Sequence, residues 1–340
     1  VTVSASSPVR QFEAAAEDAG VRLDRFLAAR LPELSRTRVQ ELIEAGLVRV
    51  NGGAGKGAQK LRGGERIEIE PQPRPPLRAA AEDIPLEIVF EDEELLVVNK
   101  PAGMTVHAGA GQSSGTLVNA LLGRGQALSS GGDALRPGIV HRLDKGTSGV
   151  LLVAKNDEMH ARLSALFASR AISKTYIALV EGAVDGEHGR IDLPIGRDPR
   201  NRVRMTARKQ SAGRVRAART DWRVLARVGG CTLLEVQLHT GRTHQIRVHF
   251  SALRHSIVGD TLYGAERRET AGKTELPELG RYFLHAARLV FAHPRTGATV
   301  DARAPLPAAL REYLRELAAG AGEDAEKIET RLDREFAAVR

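Results

Sequence analysis

At 340 residues the chain is long enough to bury a large core and to fill more than one domain. Its 42% apolar and 27% charged residues are those of a globular protein, no apolar run nears the roughly 20 residues that span a bilayer, and Cys231 alone excludes an intramolecular disulfide or a multi-cysteine zinc site. Fifty Lys and Arg against 42 Asp and Glu leave a charge of +8, which favours a polyanionic partner, while 4% aromatics argue against a surface that stacks many bases.

Residues 1–18 are rich in Ala, Ser and Glu and are expected to be poorly ordered. They carry no basic-then-apolar leader, so export is not expected, and the single cysteine fits a reducing cytoplasm. A compact unit is expected over 19–70. Leu23, Phe26, Leu27 and Leu31 recur at helical spacing before Pro32. Ser35 stands where a second helix needs its N-cap, with Val39, Leu42 and Ile43 on one face and Gly46 as its C′ glycine. Leu47–Val50 and Arg66–Glu70 read as strands, the first running into an Asn51-Gly52 turn. Arg36 and Arg38 fall in the first turn of the second helix, where they oppose its dipole but suit a phosphate at exposed N–H groups.

The proline-rich stretch 71–82 reads as a semi-rigid linker. Over 83–318, strand-like runs (95–99, 149–155, 175–181, 233–239) mix with helical segments (116–122, 157–170), which predicts an α+β domain with a mixed, largely antiparallel sheet. Between Gly196 and Thr220 lie nine basic residues, among them Arg197, Arg202 and Arg204, against the single acid Asp198. A solvated face mixes both signs, so this density favours a surface turned to phosphates. Residues 319–340 predict a charged, solvent-exposed helix or tail.

Chemistry concentrates in Gly138-Ile-Val-His-Arg-Leu-Asp-Lys-Gly-Thr-Ser-Gly149, which reads as a charged turn between two strand-like runs, 138–140 and 150–154. Gly146 and Gly149 permit a sharp bend or a close approach. Taken alone, the segment is either a solvated hairpin turn or a site built around Asp144. No second carboxylate is near in sequence, so a paired-carboxylate hydrolase is not indicated. His244 and His249 would be about 140° apart on a helix, and His239 and His249 roughly 33 Å apart on one strand, so a metal pair is not expected. No P-loop is present.

Two resemblances organise these residues. Val21-Arg-Leu-Asp-Arg-Phe-Leu27, Ser35-Arg-Thr-Arg-Val39 and Gly46-Leu-Val-Arg-Val-Asn-Gly52 resemble an S4 domain, a small α/β RNA-binding module. His141-Arg-Leu-Asp-Lys-Gly-Thr-Ser-Gly149 resembles the catalytic motif of the RluA-type pseudouridine synthases. Asn99-Lys-Pro-Ala-Gly103 with His107, Lys174-Thr-Tyr176, the run His239–His249 and Val258-Gly-Asp-Thr-Leu-Tyr-Gly264 resemble that family's other motifs, in family order. The S4-plus-catalytic arrangement is similar to the large-subunit ribosomal RNA members, the RluD type.

The resemblance implies isomerisation of uridine without metal or cofactor, on ribosomal RNA, by a monomer away from membranes. It makes Asp144 the nucleophile, which must be ionised, a form that a close cation favours. It makes Arg247 the partner of that aspartate, Tyr176 the platform on which the flipped uracil stacks, and Arg142 the residue that holds the duplex open. Addition to C1′, addition to C6 and a glycal route all use one carboxylate in one place. Without the family context, Tyr176 reads as core, Arg247 as a structural cation on a sheet, and Arg242 equally as a phosphate contact or an exposed ion pair. The same chemistry on tRNA, and a non-catalytic RNA-binding assembly factor, are the alternatives.

Overall fold

The structure is a computed structural model that describes residues 9–31, 34, 36–70, 80–108, 112–125, 127–129, 136–201, 203–207, 212–264 and 278–336; the side chains of 36–38, 41 and 212–214 lie outside the description. The chain divides into two units, residues 1–77 and 78–340. The proposed linker segment 71–79, together with Pro32 and Ser35, lies outside the described residues.

In the first unit, β1 (Arg10–Glu13), α1 (Leu23–Arg30), α2 (Arg36–Glu44), β2 (Val48–Val50), β3 (Gly53–Ala54) and β4 (Arg66–Ile69) follow in order. The strands form an antiparallel sheet in the order β1-β4-β2-β3. The apolar stripe seen in the sequence is the core: Leu23, Leu27, Val39, Leu42, Val48, Ile67 and Ile69 bury together. Gly46, at φ +75°, ends α2 in a Schellman motif, its N–H donating to Ile43 O and that of Leu47 to Leu42 O. One expectation is corrected. Residues 10–18 are ordered within this unit, because Arg10-Gln-Phe-Glu13 pairs with β4 and Phe12 packs on the core. A single apolar residue among polar ones hid that strand.

The second unit contains β5 (Glu87–Glu91), β6 (Leu95–Lys100), α3 (Leu117–Gly123), β7 (Ser148–Ala154), α4 (Asp157–Ser169), β8 (Ser173–Glu181), β9 (His188–Ile191), β10 (Ile195–Arg197), β11 (Met205–Thr206), β12 (Ala212–Arg216), β13 (Thr220–Val228), β14 (Cys231–Leu238), α5 (Gln245–Ala252), β15 (Leu284–Ala292), β16 (Thr299–Arg303), α6 (Ala308–Gly320) and α7 (Glu326–Phe336). Among the described residues, nine strands form one sheet in the order β5-β6-β7-β15-β8-β14-β13-β9, with β16 also on β15. Only β7 and β15 pair in parallel, so the sheet is mixed and largely antiparallel. Strand β7 is buried along its whole length and β8 is buried from Thr175 to Val180, as strands covered on both faces are. Thr116 caps α3 and Asn156 caps α4, each through a side-chain oxygen accepting a backbone N–H.

Three local expectations change. Residues 138–140 do not form a strand; Ile139 makes one isolated bridge to Val153, and the His141 ring accepts the Leu152 N–H (2.9 Å) that a paired strand would have taken. Arg247 sits on a helix, since the chain leaves β14 at Leu238 and enters α5 at Gln245. The C-terminal helix is not solvent-borne: Ile328, Leu332 and Phe336, four residues apart, bury on the main core while charged residues face out. The basic run folds into its own three-stranded sheet, β11-β10-β12, anchored by a small core of Ile195, Ala218, Val248 and Tyr263.

Candidate active site

Asp144 sits on the loop that enters β7, and backbone contacts hold that loop from several sides. Its carbonyl accepts the Thr147 N–H (3.0 Å), and the Lys145 carbonyl accepts the Gly103 N–H (2.8 Å). Lys100, fully buried at the end of β6, donates its ammonium to the carbonyls of Pro101 (2.7 Å) and Met104 (2.9 Å) and reaches that of Lys145 (3.5 Å). Burial, then the nearby Arg281 charge, pushes the Lys100 pKa down to about 7. Where the loop becomes strand, Gly149 (φ +116°) lets β7 press on β15; a Cβ there would stand 2.1 Å from Ala286 O. Gly146 lies against the Tyr282 ring, and a Cβ would meet it at 2.7 Å.

The cation that faces Asp144 comes from α5, not from the neighbouring Arg142 or Lys145. Arg247 Nη1 lies 3.5 Å from Asp144 Oδ2. The same guanidinium donates Nε (2.6 Å) and Nη2 (2.8 Å) to Asp260, whose side chain is wholly buried and also accepts the N–H groups of Leu262 and Tyr263. The rings of Tyr263 and Tyr282 flank it at 5.0 and 4.2 Å. Burial opposes the charge, but the Asp260 bond and its charge outweigh it and hold Arg247 firmly protonated. Asp260 therefore takes the anchoring pair of donors and leaves the remaining nitrogen aimed at Asp144.

On the other side, His244 Nε2 stands 3.9 Å from Asp144 Oδ1. The His244 ring meets the Tyr263 hydroxyl through Nδ1 at 2.7 Å, and that hydroxyl accepts the Met205 N–H at 2.8 Å. Burial pushes the His244 pKa below its ordinary value against the pull of Asp144. Asp144, His244, Arg247, Tyr176, Arg142 and Arg242 line one open cleft. Tyr176, on β8, is 8% exposed, and burial followed by the Asp144 charge raises its phenol pKa.

The structure thus brings together Asp144, Tyr176, Arg247, Arg142 and Arg242. Arg142 is exposed; Arg242 is half-buried, its Nε donating to Ala217 O (3.2 Å). Arg197 is exposed on β10, whereas Arg204 is half-buried with its guanidinium 5.3 Å from the Tyr263 ring centroid. Arg202 and the side chains of Arg36 and Arg38 lie outside the described residues. Sequence reasoning assigned no role to Asp260, His244, Tyr263 or Lys100. A lone acid in the apolar stretch 258–263 was the available signal for Asp260, since a buried carboxylate needs a cation. Among the described residues, no group of three or more His, Cys, Asp or Glu is arranged to hold a metal.

Residues 94–252 match the RNA pseudouridylate synthase family model, and residues 21–67 match the S4 domain. An RNA pseudouridine synthase of Chloroflexus aurantiacus, named as uncharacterized, is 49% identical over 87% of this chain and 90% of its own length. The chain belongs to the RNA pseudouridine synthase family. It carries the S4 unit ahead of the synthase domain, and it is similar to the ribosomal large subunit pseudouridine synthase D of Zymomonas mobilis, at 44% identity over 88% of this chain and 95% of that one. The solved structure of human RNA pseudouridylate synthase domain containing 1 superimposes with a TM-score of 0.54 at 30% identity, covering 71% of this synthase and 89% of the human chain. Among its described residues, the synthase has no helix long and apolar enough to cross a membrane.

Proposed function

We propose that this synthase converts uridine to pseudouridine in large-subunit ribosomal RNA, with Asp144 as nucleophile and the target uridine flipped into the cleft. The observation that carries the reading is the placement of one carboxylate, Asp144, between the buried Arg247 guanidinium and the His244 imidazole, in a cleft that also presents Tyr176. The isomerisation breaks the N1–C1′ bond, turns the uracil and joins C5 to C1′; the C5 proton is lost and N1 gains one, so atoms and electrons balance without a redox partner. Arg247 sets its positive charge against the carboxylate, Tyr176 supports the flat face of the base, and Arg142 helps hold the duplex open around the flipped nucleotide.

The exposed Arg197, the basic segment 196–220 and the S4 unit support an RNA held by its phosphates. The named activity of the Zymomonas mobilis relative supports the ribosomal target. The synthase then works as a cytoplasmic monomer, with 19–70 and 83–318 as its two RNA-contacting domains joined through 71–82 and with 319–340 packed on the second. Mapping pseudouridines in ribosomal RNA from cells with and without the gene tests this. The uridines that lose modification should regain it with the wild-type chain but not with Asp144→Asn, whose RNA affinity should be unchanged. Restoration by Asp144→Asn would refute the assignment, and loss confined to tRNA would move the substrate there.

A further inference from the structure

The basic three-stranded sheet and the nucleophile are wired together through two side chains. Strand β11 rests on the body of the synthase domain by the Met205 N–H, which donates to the Tyr263 hydroxyl. That hydroxyl, having accepted one proton, has its own to give, and its neighbour at 2.7 Å is His244 Nδ1. A histidine that accepts at Nδ1 carries its proton on Nε2, and Nε2 is the atom turned to Asp144 Oδ1 at 3.9 Å. Arg247 addresses the other oxygen, Oδ2. The two carboxylate oxygens are therefore each faced by a different nitrogen.

Backbone strain marks the same residue. His244 adopts φ +56°, ψ +23°, the left-handed region, at the N-cap of α5 without capping the helix by its side chain. A non-glycine residue there costs about 1 kcal/mol or more and persists where its surroundings over-determine it. Here those surroundings are the Tyr263 hydroxyl and the edge-on contact of the two rings, 5.5 Å between centroids. Tyr263 is itself fixed, 4% exposed, its carbonyl accepting from Ser251 and Ser256 hydroxyls.

We propose that His244 is a positioning residue for the nucleophile: Tyr263 sets its tautomer, its Nε2–H orients Asp144 through Oδ1, and the docking of the basic sheet at Met205 holds Tyr263 in place to do so. This goes beyond the proposed function and rests on it for the identity of the nucleophile.

Two measurements on the full-length chain test this. The first needs no RNA: with ¹⁵N-histidine labelling, and the His244 signals assigned by their loss in His244→Gln, the wild type should show an unprotonated Nδ1 and a protonated Nε2. Tyr263→Phe should populate both tautomers. The second is single-turnover release of tritium from an in vitro large-subunit ribosomal RNA transcript carrying 5-tritiated uridine. His244→Ala should slow release about 10²-fold, the scale of a misplaced reacting group, with RNA affinity unchanged. His244→Gln, which keeps a donor near the Nε2 position, should recover most of the rate. A proton on Nδ1 in the wild type, wild-type release by His244→Ala, or a His244→Gln variant as slow as His244→Ala would each overturn the proposal. A wild-type chain that releases no tritium from this transcript counts against the ribosomal target alone, because the nitrogen spectrum judges His244 independently.

Discussion

Replacing Asp260 by alanine isolates the interaction on which the site most depends. The Asp260 carboxylate, fully buried, accepts two bonds from Arg247 at 2.6 and 2.8 Å and two backbone N–H bonds at 3.1 Å. Without it, a guanidinium whose side chain is only 7% exposed keeps the looser contact to Asp144 at 3.5 Å and the flanking Tyr263 and Tyr282 rings, none of which replaces a buried counter-ion. Breaking a buried pair from one side costs about 3–5 kcal/mol, and the two orphaned N–H groups add about 1 kcal/mol between them once water reaches them. At roughly 2 °C per kcal/mol for a domain of this size, the melting temperature should fall by roughly 10 °C. Urea unfolding followed by the fluorescence of Trp222, the only tryptophan and a residue of β13, reads the synthase domain directly. The double variant Asp260→Ala/Arg247→Met should be more stable than Asp260→Ala alone, because it removes the stranded cation. A single variant within about 1 kcal/mol of wild type would refute the reasoning, as would a double variant destabilised by the full sum of its parts.

Gly149→Ala should cost about 3 kcal/mol or abolish folding, since its Cβ would meet the Ala286 backbone at 2.1 Å, whereas Gly103→Ala, at φ +84° with open space around it, should cost only the strain of about 1–2 kcal/mol; thermal melts separate the two. His285 is fully buried and its pKa is pushed down to about 4 by burial, its ring lying 3.1 Å from Ala304 O and 2.9 Å from the Ser148 hydroxyl. Between pH 6.5 and 4 the unfolded chain binds a proton that the native one refuses, so stability is full above 6.5 and falls by about 1.4 kcal/mol per pH unit on acidification. Urea midpoints between pH 7 and 5 should show a slope that His285→Gln reduces by that amount; identical slopes would refute it. RNA affinity should fall steeply with salt, and Arg197→Ala with Arg200→Ala should lower the log–log slope by about one per lost phosphate contact; an unchanged slope removes this sheet from the RNA surface.

The helices and buried strands were legible because their signal is local. Val150–Ala154 is an apolar run of strand length, Leu234–Leu238 alternates apolar and polar as a half-buried strand does, and Leu23, Phe26 and Leu27 repeat at helical spacing. β1 was not legible, because its partner β4 lies more than fifty residues away and its own residues are mostly polar. The exposed reading of the last helix failed for a related reason: Ile328, Leu332 and Phe336 mark a face, but nothing in a single helix says that a core waits for it. At the site, Asp144, Tyr176 and Arg247 were found through motif resemblance. Asp260 and His244 act through partners 13 and 100 positions away, Arg247 and Asp144, and spacing does not carry that information.

The registers that place Gly149 beside Ala286, and Ala286 beside Tyr176, set three strands abreast. The separation between the strand that issues from the Asp144 loop and the strand that bears Tyr176 is therefore a whole number, two inter-strand steps, or roughly 9–10 Å. Side-chain substitutions adjust what stands at either end of that span but leave the span itself unchanged. A slip in register leaves it unchanged too, but a one-residue slip would turn Tyr176 to the opposite face of the sheet. The lateral offset between the strand that follows Asp144 and the strand that bears Tyr176 is thus set by backbone hydrogen bonding and not by any side chain.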